Sequence, residues 1–209
     1  MESKLSVSEY RDGMSGFERG IKRCIDFGGA FFLLILFSPL ILLIYVALWW
    51  QRDGSPIFKQ ERIGYQGKPF YIYKFRSMRM DAENGKPQLA QKQDDRLTPV
   101  GRFLREHHLD EIPQLWNVLE GTMSFVGPRP ERQYFIDEIM KHNSHYPVLF
   151  NMRPGVTSRA TLYNGYTDTM EKMLIRLDMD LDYYQERSLW LDMKLLGLTF
   201  LKIVGGIKF

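Results

Sequence analysis

The chain is short of several things, and each shortage excludes a class of function. Among its 209 residues there is one cysteine, Cys24, so no internal disulfide can form and a reducing compartment suits it. The net charge is only +3 and the pI near 8.9, too mild to signal nucleic acid as a partner. Neither G-x-x-x-x-G-K-[ST] nor G-x-G-x-x-G occurs, so no P-loop or dinucleotide fold is indicated. No Cys or His lies at zinc-like spacing, and the adjacent His107 and His108 would point to different helix faces, which reads as structural. Internal repeats are absent. The most extended shortage is of charge: residues 27–50 are 24 positions without Asp, Glu, Lys or Arg.

At about 1.5 Å per residue that run makes roughly 36 Å of helix, against about 30 Å of bilayer hydrocarbon. It is longer than a signal-peptide core and no A-x-A-like site follows it, so it reads as retained. Ser38-Pro39 stands in its middle, and proline kinks or breaks a helix. One reading is a single span with a kink. The other is a helix that enters, turns at Ser38-Pro39 and leaves on the same side, each half of about 11–13 residues reaching roughly mid-bilayer. Lys4, Arg11, Arg19, Lys22 and Arg23 before the run are nearly balanced by Arg52, Lys59, Arg62 and Lys68 after it. A simple span should carry a basic bias on one flank, whereas a re-entrant segment has both flanks cytoplasmic. A serine hydroxyl next to the break can satisfy a carbonyl that proline leaves unpaired. The residues alone leave both readings open.

Residues 1–50 thus form an N-terminal segment, and 51–209 suffice for one compact domain with a core drawn from 44% hydrophobic residues. IFKQERIG and KPFYIYKFRSM around YQG predict a β-hairpin. Residues 81–99 predict an exposed, mobile loop. Helices are expected at 100–106, at 113–120 with Gly121 as terminator, and near 131–141. GTMSFVGPRP reads as a turn-rich connector and MRPGVTS as a loop. The last stretch, SLWLDMKLLGLTFLKIV, is too short and too charged to span, and reads as a helix at a membrane interface or in the core. The fold class expected is α+β, mainly helical, with a helix-break-helix membrane segment, a small hairpin and amphipathic interface helices.

The densest candidate for chemistry is HHLDEIPQLWNVLEG. With Asp110 as N-cap and Pro113 in the first turn, the free amides and dipole would keep the Asp110 carboxylate ionised, as a nucleophile or Mg²⁺ ligand must be. Taken alone, D-E-x-P is equally a capped helix start. The setting is basic: Lys59 and Arg62 on the first strand, Lys74 and Arg76 on the second, Arg129 between the prolines of GPRP, and Arg153 before Pro-Gly. Arginines held by flanking prolines suit bidentate phosphate recognition, so together they suggest a phosphate-rich anion.

In order, KRCIDF, FSPL, PIFKQERIGYQGKPFYIYKFRSM, LDEIPQLWNVLEGTMSFVGPRP, RPGVTS and SLWLDMKLL resemble the bacterial sugar transferase family, the monotopic polyprenyl-phosphate phosphoglycosyl transferases, from about Arg19 onward. The length is similar to its minimal, catalytic-domain-only members. The resemblance implies transfer of a sugar-1-phosphate from a UDP-sugar to a polyprenyl phosphate such as undecaprenyl phosphate, with release of UMP. It implies Asp110 as nucleophile through a phosphosugar–aspartyl intermediate, Glu111 beside it, Mg²⁺ held at Asp110 and Glu111, and the re-entrant segment. The reaction would open capsule, exopolysaccharide, O-antigen or glycoprotein assembly at the cytoplasmic face of the bacterial inner membrane. Partners implied are the UDP-sugar, the polyprenyl phosphate and membrane lipids, with downstream glycosyltransferases or a second copy as further candidates, and no nucleic acid.

The chain departs from the family pattern after PGVTS, where RATLYNGY puts Tyr166 in a place usually held by arginine, and the segment 164–182 looks longer. Donor choice is the property this touches. Asp182, in LDYY, matches a family aspartate of open role and is a candidate substrate contact. A membrane diphosphate hydrolase and a non-catalytic membrane adaptor are the competing classes, separated by whether UMP release requires polyprenyl phosphate.

Overall fold

A computed structural model describes residues 7–82, 94–165 and 167–205. Most of the loop expected at 81–99, and Tyr166, lie outside the described residues.

The first helix, α1 (Gly16–Leu36), begins with a capping box: Ser15 Oγ accepts from the Glu18 amide at 3.2 Å and the Glu18 carboxylate accepts from the Ser15 amide at 2.9 Å. Its first half is tied to the rest of the chain by polar contacts. Lys22 pairs with Asp192 at 2.5 Å, Arg23 donates to the carbonyls of Val118 and Leu119, and buried Asp26 accepts from the Phe125 amide. Gly29 permits a close approach, since a Cβ there would lie 2.8 Å from the Phe125 ring. Beyond this point Phe31, Phe32, Ile35 and Leu36 face outward.

At Phe37 the chain bends by 62° into α2 (Ser38–Gln51). Pro39 falls in the first turn of α2, where its missing N–H costs no helical bond. Ser38 Oγ donates to the Ile35 carbonyl at 2.7 Å, taking up the end of α1 as the serine beside the break was expected to do. On α2, Ile44 and Leu48 are buried in a cluster with Phe75 and Leu104, while Leu42, Leu43, Trp49 and Trp50 are exposed. Both limbs of the bend therefore pack on the same domain, so a boundary at residue 50 divides segments that touch. No single helix among the described residues is long and apolar enough to cross a membrane; the bent pair meets length and composition together.

The hairpin is as expected: β1 (Ile57–Ile63) pairs antiparallel with β2 (Pro69–Phe75), from Ile57 opposite Phe75 to Ile63 opposite Pro69. After α3 (Pro99–Glu106), α4 (Gln114–Glu120) lies along β2. Fully buried Asn117 fixes it there, its amide donating to the Tyr71 carbonyl at 2.7 Å and accepting from the Tyr73 amide at 3.0 Å. Gly121, at φ 89°, ends α4 as the sequence suggests.

The connector and loop readings of GTMSFVGPRP and MRPGVTS require correction. Each holds a three-residue strand, β3 (Ser124–Val126) and β4 (Gly155–Thr157), paired in parallel. Strands this short leave no alternation to read. Their contact needs Gly127 and Gly155, since a Cβ on Gly155 would sit 2.1 Å from the Gly127 nitrogen.

Next come α5 (Gln133–Met140), α6 (Arg159–Asn164), α7 (Met170–Glu186) and α8 (Leu189–Val204). They enclose the main core, in which Ile136, Ile139, Met173 and Leu177 are almost fully buried. The last helix, α8, is both packed and exposed: Leu195 and Asp192 are buried, while Trp190, Met193, Phe200 and Leu201 face out. The architecture is mainly helical with a small antiparallel hairpin, as the composition and motifs predict.

Candidate active site

Asp110 and Glu111 stand on a 3₁₀ turn, Leu109–Glu111, between α3 and α4. His108 enters it in the left-handed region, φ 55°, and the Glu111 and Ile112 amides donate back to the carbonyls of His108 and Leu109. Asp110 is therefore not the helix cap that the sequence suggests. Ile112 is already helical, and Pro113, with φ −60°, occupies the cap of α4 without a side-chain cap bond. The 3₁₀ turn runs straight into the helix and leaves no extended residue for a cap to occupy.

The electrostatics change with it. Asp110 is 5% exposed, and burial raises its carboxyl above the ordinary range. Lys74 pulls it down, the neighbouring Glu111 charge raises it further, and Arg105 and His108 lower it, without cancelling the rise. Glu111 behaves oppositely. Burial raises it too, but Lys74 and Arg129 outweigh burial and hold it near 2. Lys74 Nζ donates to Glu111 Oε1 at 2.6 Å, and an Arg129 guanidinium nitrogen lies 3.8 Å from the same oxygen. One carboxylate is thus a fixed anion with two cations; the other is undercompensated, basic, and nucleophilic once ionised.

Each member of this cluster is positioned by the fold. Lys74 is carried by β2, which Asn117 pins to α4. Leu109 and Ile112, flanking the carboxylates, pack in the same cluster as Leu40, Ile41, Ile44 and Leu48 of α2. The turn that bears the dyad therefore packs with α2, the second helix of the bent apolar pair.

Of the cations singled out in the sequence, Lys74 and Arg129 meet the dyad. Lys59 stands on the other face of the hairpin from Lys74, opposite Tyr73, with its ammonium 5.4 Å from that ring centre. Arg62 is buried: it donates to the Pro130 carbonyl, to Gln60 and to Glu131, and burial lowers it to about 10 despite Glu131. Arg76 donates to the Ser55 carbonyl at 2.7 Å and lies over the Phe58 ring. Arg153 donates to the Gly121 carbonyl at 2.8 Å, at the C-terminal end of α4, where Arg23 takes the Val118 and Leu119 carbonyls. It serves there as a helix C-cap, at the end of α4 away from the dyad. Asp182 is exposed on α7, near Arg159 and Glu186.

Three residues escaped the sequence reading. Arg105, half-buried and donating to Ser77 Oγ at 3.1 Å, lies close enough to act on Asp110. Asn117 carried no signal in a single sequence. Asp180 is the buried aspartate of α7, and the spacing of Met173, Leu177 and Tyr184 would have put it on the inward stripe and Asp182 off it.

Among the described residues no three His, Cys, Asp or Glu side chains group as a metal site. Asp110 and Glu111 fit a divalent cation in the way Mg²⁺ is often held, by one or two carboxylates together with substrate phosphates. The undercompensated burial of Asp110 is the feature such a cation would relieve.

A family model described as bacterial sugar transferase matches residues 17–206. The UDP-glucose:undecaprenyl-phosphate glucose-1-phosphate transferase of Escherichia coli (strain K12) is 40% identical over 198 residues, 94% of this chain and 43% of that protein. The UDP-N-acetylgalactosamine-undecaprenyl-phosphate N-acetylgalactosaminephosphotransferase of Aeromonas hydrophila is 38% identical over 186 residues, 89% of this chain and 44% of its own. The corresponding glucose-1-phosphate transferase of Caulobacter vibrioides is 41% identical over 180 residues, 85% of this chain and 67% of its own. The chain thus spans less than half the length of the first two.

Proposed function

The chain belongs to the bacterial sugar transferase family, and from that premise we propose that it moves a sugar-1-phosphate from a UDP-sugar to a polyprenyl phosphate, releasing UMP. The observation that carries the proposal is the cluster of Asp110, Glu111, Lys74 and Arg129, seated against the second helix of a bent apolar pair. The names of the relatives favour UDP-glucose or UDP-N-acetylgalactosamine as donor and undecaprenyl phosphate as acceptor.

Asp110 is the nucleophile. Ionised, one of its oxygens attacks the phosphorus that bears the sugar; the bond from that phosphorus to the bridging oxygen breaks, and UMP leaves with that oxygen. A phosphate oxygen of the polyprenyl phosphate then attacks the same phosphorus, the bond to Asp110 breaks, and the carboxylate is restored. No proton is gained or lost overall. The raised basicity of Asp110 strengthens it as a nucleophile, while Glu111, fixed as an anion, holds Lys74 and Arg129 beside the incoming phosphates. Asp110 and Glu111 would hold Mg²⁺, which supplies charge neutralisation at the diphosphate.

The bend at Ser38-Pro39 makes the pair re-entrant, with both ends on the cytoplasmic side and the dyad at the depth where a lipid phosphate emerges. Exposed Trp49, Trp50 and Trp190 suit the headgroup layer. Such a protein starts glycoconjugate assembly on the inner membrane. The test is UMP release from each donor with and without undecaprenyl phosphate. Sustained release that depends on the lipid, beyond one UMP per protein, is expected; repeated lipid-independent turnover would make the protein a diphosphate hydrolase, and none at all from any UDP-sugar would leave a membrane adaptor.

A further inference from the structure

We infer that Asp180 is a positioning residue for the transfer proposed above, holding the Arg129 side chain against Glu111 through the backbone of the GPRP loop. The inference rests on that proposed reaction.

Arg129 follows β3 in a stretch whose backbone is held at nearly every residue. The Gly127 amide donates to the Thr157 carbonyl at 3.1 Å and the Pro128 carbonyl accepts from the Gly155 amide at 2.9 Å. The Pro130 carbonyl accepts from Arg62 at 3.2 Å, and the Glu131 carbonyl accepts from the Ile63 amide at 2.9 Å. The Glu131 carboxylate lies between Arg176, 2.7 Å away, and Arg62, 3.4 Å away, all three side chains being largely buried. For Arg129 the backbone partner is Asp180, whose carboxylate accepts its amide. What remains free to emerge is the Arg129 side chain, 40% exposed and 3.8 Å from Glu111.

Asp180 is costly for a residue whose only task is packing. It is 2% exposed, its Oδ1 has no hydrogen-bond partner, and burial, only partly offset by Arg176, pushes its carboxyl up to about 7. A buried carboxylate left with one oxygen unpaired destabilises the fold, and an apolar residue would not. Besides the charge of Arg176 nearby, its carboxylate meets the amide of the arginine that reaches the dyad. Glu131, Arg176 and Arg62 brace the following residues, so loss of Asp180 leaves the loop anchored but lets Arg129 drift from the phosphate path.

The experiment uses the full chain in detergent with UDP-glucose or UDP-N-acetylgalactosamine and undecaprenyl phosphate, reading UMP release and the thermal midpoint. Asp180→Ala is expected to lower kcat/KM by about 10- to 100-fold, the range for a catalytic group displaced by about an ångström. Asp180→Asn keeps an oxygen acceptor for the Arg129 amide and should restore activity to within about threefold, with no loss of thermal midpoint. In an Arg129→Ala background, Asp180→Ala should add little, because both act through one contact. A purely structural role would instead lower the midpoint and multiply with Arg129→Ala. Should Asp180→Ala not fold, Asp180→Leu, similar in volume and free of unpaired polar atoms, carries the same comparison. Full activity in a folded Ala or Leu variant, or effects that multiply with Arg129→Ala, overturns the inference. Absence of UMP release by the wild-type protein from both donors overturns the proposed reaction instead.

Discussion

Replacing Lys74 by Met keeps most of the unbranched side chain and removes the charge that Glu111 faces at 2.6 Å. Glu111 held near 2 instead of its ordinary 4.5 corresponds to about 3 kcal/mol in favour of the folded state at neutral pH. Part of that is offset by Lys74, whose charge is itself disfavoured by burial. Solvent trims the rest, since 18% and 21% of the two side chains are exposed. The net expected loss for Lys74→Met at pH 7 is about 1.5–3 kcal/mol, in line with a hydrogen bond between charged groups. The sign with pH follows from Glu111 being lowered: its contribution is present above pH 4.5 and is lost as pH falls toward 2. In Lys74→Met, with the largest favourable charge opposite Glu111 removed, the acid loss of stability should begin at higher pH. Urea unfolding in detergent of the wild type, Lys74→Met, Glu111→Gln and the double variant measures this. The double variant should lose less than the sum of the singles by about 1–2 kcal/mol. A Lys74→Met protein within about 0.5 kcal/mol of wild type, with losses additive to those of Glu111→Gln, would refute the pairing as the element that fixes the site.

Arg153→Ala should lower stability by about 1–2 kcal/mol through the freed Gly121 carbonyl while leaving kcat/KM near wild type; a large rise in KM at unchanged stability would restore it to the phosphate path. Asp110→Asn should be at least as stable as wild type at pH 7, because an acid raised by burial loses stability as pH rises through its folded value and the amide does not; a lower thermal midpoint at pH 7 than at pH 4, relative to wild type, contradicts this. Single cysteines at Arg11 and Ser55, in a Cys24→Ser background, should both resist an impermeant thiol reagent in intact cells and react once the membrane is opened. Labelling of either from outside would mean that the apolar pair spans.

The hairpin was legible because seven-residue strands carry enough alternating and β-branched or aromatic positions to read, and the end of α4 because Gly121 is the residue that tolerates a positive φ. The break at Ser38-Pro39 was legible as well, since proline chemistry is local and Ser38 meets the carbonyl that it was expected to meet. The parallel pair was not, because Ser124 and Gly155 come together only through the chain between them. Nor could the sequence sort its arginines. Whether Arg153 faces a ligand or a helix end depends on where α4 stops in space, and the burial of Arg62 depends on Pro130 and Glu131, which the chain brings beside it from a distance. Asp180 is a different case: the stripe of Met173, Leu177 and Tyr184 on α7 places it inward and Asp182 outward.

The covalent role of Asp110 is tested most directly with a UDP-sugar labelled at the sugar-bearing phosphorus, given to the detergent-solubilised protein without lipid and quenched early. Label should be retained on the wild-type protein together with UMP release, should map to the peptide containing Asp110, and should be chased by undecaprenyl phosphate. Asp110→Asn should retain none. Equal labelling of Asp110→Asn, or a wild type that releases UMP only when lipid is present and never carries label, would contradict the account.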